Sequence, residues 1–138
     1  MGDNREVIRR YREAVEAGDM VTLTALLDDF ATDDFVQEWP QSGERLRVEG
    51  SKKMAEQYSE ATGTRPTMSI TSIKESNDLA VIEGTIDYGN GVPVRYVGIA
   101  EFRDGKVSRV SEYFADPFEA PAWRAPFVER MAAAGDVT

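Results

Sequence analysis

Asp87, Arg95 and Glu112 are the side chains whose types and spacing along predicted strands can move a proton. Two carboxyl groups sharing an apolar hollow are enough, because desolvation raises the pKa of one while its neighbour stays ionised. An arginine beside both would hold their charge states apart, and the pair then works as general acid and general base without a histidine. The same groups, together with Glu83, can instead form a buried ion-pair network that only compensates itself. Carboxylate chemistry is also what the composition leaves open. Among 138 residues there is no His and no Cys, which excludes a Ser-His-Asp triad, a thiolate nucleophile, a disulfide framework and a zinc–thiolate site. The acidic run Asp28, Asp29, Asp33 and Asp34 reads as a solvated turn, since neighbouring carboxylates on a turn need not converge on a cation. No metal and no cofactor are expected.

Strand pairing decides whether the three groups meet. Residues 67–75, 79–88, 92–103 and 106–115 are β-type runs separated by Ser76-Asn77-Asp78, Gly89-Asn90-Gly91 and Asp104-Gly105, the last a two-residue hairpin signal. That turn sets Arg103 opposite Lys106, and counting back sets Ile99 opposite Val110, Val97 opposite Glu112 and Arg95 opposite Phe114. A three-residue loop at Gly89 sets Asp87 opposite Pro93, Thr85 opposite Arg95 and Glu83 opposite Val97. One face then carries Val81, Glu83, Thr85, Asp87, Arg95, Val97, Ile99, Val110, Glu112 and Phe114, with Arg95 diagonal to both Asp87 and Glu112. The other carries Ile82, Gly84, Ile86, Tyr88, Val94, Tyr96, Gly98, Ala100, Phe102, Ser111 and Tyr113. The expectation is that helices cover the first face and make it a pocket. The second, nearly all apolar, then needs another partner, and a homodimer through Tyr88, Tyr96 and Tyr113 is predicted.

The helices come first in the chain. Val7, Ile8, Tyr11, Ala14 and Val15 recur at helical spacing between Asn4 and Ala17, and Gly18 is a stop. Asp19 can cap a second helix with Leu23, Leu26, Leu27 and Phe30 on one stripe. A short strand pair, 35–39 and 45–49, flanks Pro40-Gln41-Ser42-Gly43, and Ser51 can cap a third helix running to about Ala61 before Gly63. Helices followed by an antiparallel sheet indicate an α+β class. One domain over 1–138 is expected: helices and strand pair in 1–63, a four-stranded antiparallel sheet in 66–116, and a tail in 117–138.

A formal charge of −9 opposes nucleic acid and anionic lipid as partners. The charged N-terminus lacks a signal-peptide core and no stretch approaches a membrane span, so a cytoplasmic protein is expected.

With RYREAVEAGD at 10–19, DDFVQEWPQSGE at 33–44 and EFRDGKVSRVSEYFADP at 101–117, the chain resembles the nuclear-transport-factor-2-like superfamily. The likeness is to its branch of SnoaL-like polyketide cyclases, ketosteroid isomerases and limonene epoxide hydrolases, and it spans nearly the whole chain. It implies three N-terminal helices on a strongly curved, mainly antiparallel sheet, a cystatin-like α+β roll forming a cone with a pocket. By the same likeness Tyr11 stands where the isomerases keep the tyrosine that donates to a developing oxyanion, and Trp39 takes the place of their aspartate base. The Arg-x-Asp strand of the epoxide hydrolases aligns with Thr85-Ile86-Asp87, and their second acid with Glu112 before Tyr113-Phe114. Arg95, opposite Thr85, would restore their bridging cation.

The resulting expectation is a small cofactor-free enzyme acting on an apolar, oxygenated metabolite such as a polyketide, terpenoid or epoxide. Asp87 is its base, Glu112 its acid, Arg95 the group between them and Tyr11 a donor to substrate oxygen. Trp39, Glu83, Thr85, Val97, Ile99, Val110 and Phe114 form the substrate walls, and Trp123, with Arg124, a lid. Hydrolysis, isomerisation and cyclisation are all open. The alternatives are a binding protein with no turnover, in which the same cavity holds a hydrophobic ligand, and a protein-interaction or assembly subunit using the sheet.

Overall fold

A computed structural model describes residues 4–131. Helix α1 spans Asn4–Ala17 and buries Val7, Ala14 and Val15, and Gly18 then ends it in the left-handed region, φ +71°, which costs glycine nothing. Helix α2, Met20–Phe30, starts as expected from Asp19, whose carboxylate accepts from the Val21 amide at 2.9 Å and the Thr22 hydroxyl at 2.8 Å. Helix α3 runs Val48–Thr62 and ends at Gly63. It begins three residues before the expected cap, so Ser51 lies inside its first turn, buried, with its hydroxyl donated to Gln37.

The strands are β1 Ala31–Trp39, β2 Glu44–Leu46, β3 Thr67–Glu75, β4 Leu79–Asp87, β5 Pro93–Arg103 and β6 Lys106–Ala115. They form one curved, unclosed sheet in the order β2-β1-β6-β5-β4-β3. The strand pair of the first half is therefore not separate from the later four strands: β1 runs parallel to β6 and joins the two. The α+β class and the helix-on-curved-sheet architecture stand as expected.

Along β4 and β5 the register is the expected one, with Glu83 opposite Val97, Thr85 opposite Arg95 and Asp87 opposite Pro93. The β5–β6 hairpin also starts as expected, with Arg103 opposite Lys106. Phe102 then pairs with Val107, but Glu101 pairs with Arg109, so Ser108 is an extra residue, a β-bulge with its hydroxyl on the Glu101 carbonyl at 3.2 Å. Because side chains alternate, one extra residue exchanges the faces of everything beyond it. Gly98 now lies opposite Glu112 and Tyr96 opposite Phe114. Val110, Glu112 and Phe114 consequently join Ile82, Tyr96 and Phe102, while Ser111 and Tyr113 turn to the side of Val97 and Ile99.

The helices cover the more apolar of the two faces. Ala80, Ile82, Ile86, Tyr96, Ala100, Phe102 and Val107 are all buried beneath them. Burial of apolar surface by the chain's own helices is the larger gain, and it leaves the charges in water. Glu83, Asp87 and Arg95 are exposed on the opposite face. Two expectations are thereby corrected: the charged face is not the covered one, and Tyr88, Tyr96 and Tyr113 do not share a surface on which a second copy could sit. The outer side is held by ion pairs. Glu38 accepts from Arg45 at 2.7 Å and from Arg109, and Arg103 meets Asp34 at 2.5 Å. That contact and the Thr32 hydroxyl hold the Asp34 carboxyl down at about 2.

Gly84 marks the closest strand approach: a Cβ there would stand 2.4 Å from the Ser69 carbonyl oxygen, a backbone atom that cannot swing away. Gly50, inside α3, has ordinary room beside Leu46 at 3.4 Å. Gly84→Ala is expected to cost about 1–3 kcal/mol in urea unfolding, as overpacked sites do. Gly50→Ala is expected to gain roughly 0.5–1 kcal/mol, the helix preference of Ala over Gly. Equal effects at the two positions would contradict the close packing of β3 on β4.

Candidate functional site

Between the helices and the sheet lies a cavity of about 160 Å³. Helix α1 lines it with Val7, Ile8 and Tyr11, helix α2 with Leu23, Thr24, Leu26, Leu27 and Phe30. The sheet contributes Phe35, Gln37, Ile73, Ala80, Ile82, Tyr96, Ala100, Phe102, Val107, Val110 and Glu112. The hollow has a local cause. Ala80 and Ala100, directly opposite one another on β4 and β5, put two methyl groups where larger side chains would meet the helices. Above them α2 has apolar residues along one stripe yet buries none of them fully. The core is accordingly split into a cluster around Phe35, Phe102 and Val107 and another around Ile82, Ile86 and Tyr96.

One end of the cavity is polar. The Glu112 carboxylate accepts on Oε1 from Gln37 Nε2 at 2.5 Å and from Trp39 Nε1 at 2.9 Å, and on Oε2 from the Tyr96 hydroxyl at 2.5 Å. Gln37 is itself oriented by the Ser51 hydroxyl, which donates to its Oε1 at 2.5 Å. A charge placed in apolar surroundings needs such donors. Phe35, Gln37 and Trp39 face inward in turn along β1, and the Ser108 bulge brings Glu112 to them. Gly98, opposite Glu112, completes the arrangement. A Cβ at Gly98 would fall 2.4 Å from the Tyr96 hydroxyl oxygen, so the tyrosine ring crosses its own strand over glycine to reach the carboxylate. Phe114 packs against Tyr96 at 5.5 Å between ring centroids and meets the Trp39 ring edge-on at 6.3 Å.

Tyr11 enters from α1. Its hydroxyl hydrogen-bonds the Met68 thioether at 3.7 Å, a weak acceptor, and stands beside the Tyr96 hydroxyl, whose proton is committed to Glu112. Burial raises both phenols well above the ordinary value, and the Glu112 charge adds to the rise. Both are therefore protonated donors across the physiological range.

Of the residues expected at the site, Glu112, Tyr11 and Val110 line the cavity, and Trp39 and Phe114 stand behind its polar end. Asp87 and Arg95 do not reach it. Asp87 is exposed at the end of β4, where its carboxylate accepts from the Gly89 amide at 2.8 Å, and Arg95 is exposed on the outer face. Glu83, Thr85, Val97 and Ile99 share that outer face. Trp123, 71% exposed, stacks with Arg124 in a short 3-10 turn, Ala122–Phe127, and neither lines the cavity. The pairing of Asp87 with Glu112 is thus corrected to a single carboxylate with two tyrosines. Tyr96 and Gln37 were not anticipated. Alternation of Gln37 with Phe35 and Trp39 was a usable signal; for Tyr96 it was the apolar company on its face.

The sequence profile of the SnoaL-like domain matches residues 8–110. The chain belongs to this SnoaL-like family. A solved NTF-2 like protein of unknown function from Burkholderia xenovorans is 36% identical, over 93% of this chain and 94% of that one, with a TM-score of 0.71. A protein provisionally named a ketosteroid isomerase, from Kribbella flavida, is 22% identical over 94% of this chain and 90% of its own, with a TM-score of 0.75. One provisionally named a polyketide cyclase, from Sinorhizobium meliloti, is 17% identical over 78% and 94%, with a TM-score of 0.60. No curated protein matches the sequence. In this SnoaL-like chain Glu112 lies two residues beyond the matched segment, at the point to which the bulge carries it.

The two buried phenols fix a pH dependence. Their folded-state pKa values lie above the unfolded value of 10.0, so their contribution to stability is complete below pH 10 and is lost as the pH rises towards the folded values. In a spectrophotometric titration, Tyr11→Phe and Tyr96→Phe are each expected to leave the tyrosinate signal of the folded protein at pH 10 unchanged. Loss of signal there in either variant would mean that its hydroxyl is not buried beside Glu112.

Proposed function

We propose that this chain is a cofactor-free proton-transfer enzyme acting on an apolar, oxygenated small molecule, with Glu112 as its catalytic carboxylate. The observation that carries this reading is the placement of Glu112 at the polar end of a largely apolar cavity, in line with the buried hydroxyls of Tyr96, which donates to it, and of Tyr11, which adjoins Tyr96 and also meets the weakly accepting Met68 thioether. Among the described residues Oε2 has one donor where Oε1 has two, so Oε2 is the oxygen with a lone pair left for a substrate proton.

With a ketone bound by its oxygen to Tyr11, Glu112 takes the proton from the carbon next to the carbonyl, the electron pair of that C–H bond forms a carbon–carbon double bond, and the carbonyl π pair moves to the oxygen. Tyr11 stabilises the resulting enolate by hydrogen bonding. In a β,γ-unsaturated ketone, returning the proton from Glu112 to the far carbon of the dienolate isomerises the substrate; in a diketone, attack of the enolate carbon on the second carbonyl closes a ring, and the alkoxide formed takes the proton back from Glu112. Both outcomes use the same first step. Tyr96, Gln37 and Trp39 are positioning residues that hold the carboxylate, and Ser51 acts through Gln37.

A second reading has specific support. Three of the acceptor positions of Glu112 are already filled by Gln37, Trp39 and Tyr96, which suits a carboxylate that anchors a ligand without taking a proton from it. Isomerisation of cyclohex-3-enone to its conjugated isomer, followed by ultraviolet absorbance, separates the two. Glu112→Gln is expected to lower the rate by ~10²–10⁴-fold, the usual contribution of a positioned base, while Asp87→Asn on the outer face leaves it unchanged. Unaltered turnover in Glu112→Gln, or no turnover by the wild-type chain, would favour the anchoring role.

A further inference from the structure

We propose that the ligand of this cavity is monocyclic, a single six-membered ring with small substituents and one oxygen, and that the Ala80–Ala100 floor and the aromatic walls exclude fused-ring compounds. The inference rests on reading the cavity as the substrate site, and it narrows the substrate by volume. The hollow measures about 160 Å³, and a dry apolar cavity of roughly 150 Å³ is filled by benzene. Its shape is set by residues that cannot all withdraw. Phe35, Phe102 and Val107 close one end and are buried in a packed cluster. Tyr96 and Glu112 close the other and are tied to each other. Helix α2, with no fully buried residue, is the least fixed of the walls, and Phe30 at its end is held under the Arg10 guanidinium at 5.6 Å.

The one oxygen follows from the polar end. Tyr11 lies between the Tyr96 hydroxyl and the weakly accepting Met68 thioether, which a ligand oxygen can replace as a partner, and Glu112 Oε2 can take one more donor. A ring oxygen placed between them satisfies Tyr11, and a phenol also donates to Glu112. Away from this end the lining is aliphatic at Ile8, Leu27 and Val110, and Thr24, whose hydroxyl proton is taken by the Met20 carbonyl at 3.0 Å, offers a second polar substituent no donor.

The test is isothermal titration calorimetry of the full chain with phenol, 2-naphthol, a four-ring steroidal phenol and toluene. Phenol is expected to bind, 2-naphthol at least about tenfold more weakly, and the steroid not at all. Toluene should also bind more weakly than phenol, and Tyr11→Phe should lower phenol affinity while leaving toluene unaffected. Ala100→Leu, which fills the floor, is expected to abolish phenol binding without lowering the melting temperature. If that variant does not fold, Phe30→Ala, which opens the partly exposed roof, should bring 2-naphthol to the affinity of phenol. Equal or tighter binding of naphthol or steroid by the wild-type chain, or no binding of phenol at millimolar concentration, overturns the proposal. Turnover of cyclohex-3-enone without the size ranking would overturn this inference and leave proton transfer standing. The size ranking without turnover would support this inference and count against catalysis.

Discussion

A carboxylate inside an apolar hollow must be met by donors, and in this protein that requirement organises four separate elements around Glu112. Strand β1 supplies Gln37 and Trp39, β5 supplies Tyr96, α3 supplies the serine that orients Gln37, and the bulge in β6 aims the carboxylate inward. None of these contacts survives alone. Without Ser108 as an extra residue, Glu112 would face solvent and Tyr113 would take its place beneath the helices. Without a glycine at position 98, the Tyr96 hydroxyl could not occupy the point from which it reaches Oε2. The site is therefore a property of register as much as of residue type.

This also explains what was legible in the sequence and what was not. The three helices, their start at Asp19 and stops at Gly18 and Gly63, and the whole β4–β5 register follow from periodicity and turn chemistry. The Asp104-Gly105 turn was read correctly, and Arg103 does pair with Lys106. Five residues later the reading failed, because a bulge at a serine within Val107-Ser108-Arg109 leaves no composition signal of the kind a glycine gives. Every face assignment in β6 beyond that point inverted together. Glu112 and Tyr11 are legible as site residues, Tyr11 by family likeness alone, while the grouping of Asp87 and Arg95 with Glu112 rests on the expected register and on the likeness to the epoxide hydrolases, and the bulge overturns it.

A second misreading had a different physical origin. The face with Tyr88, Tyr96 and Phe102 was correctly judged too apolar to stand in water, but its cover was assigned to a second copy and the charged face was given to the helices. Covalently attached helices are present at a far higher effective concentration than another chain, so the most apolar face goes to them first. The charged face then keeps its hydration and pairs its ions across strands, as Glu38 does with Arg45 and Arg109.

The hollow itself is in tension with these packing forces. Helix α2 carries enough apolar side chains to close down on the sheet, and each methylene brought into contact would be stabilising. What prevents closure is that the polar end is already rigid. Tyr11 and Tyr96 cannot sink further towards Glu112 without stacking one hydroxyl on another, and α1, which carries Tyr11, packs beside α2. The floor of two alanines cannot rise to meet the roof. A space of defined size is thus kept between a wall held by hydrogen bonds and a wall held by aromatic packing. The same donors that make a buried charge tolerable also fix one wall of the volume in which that charge can act.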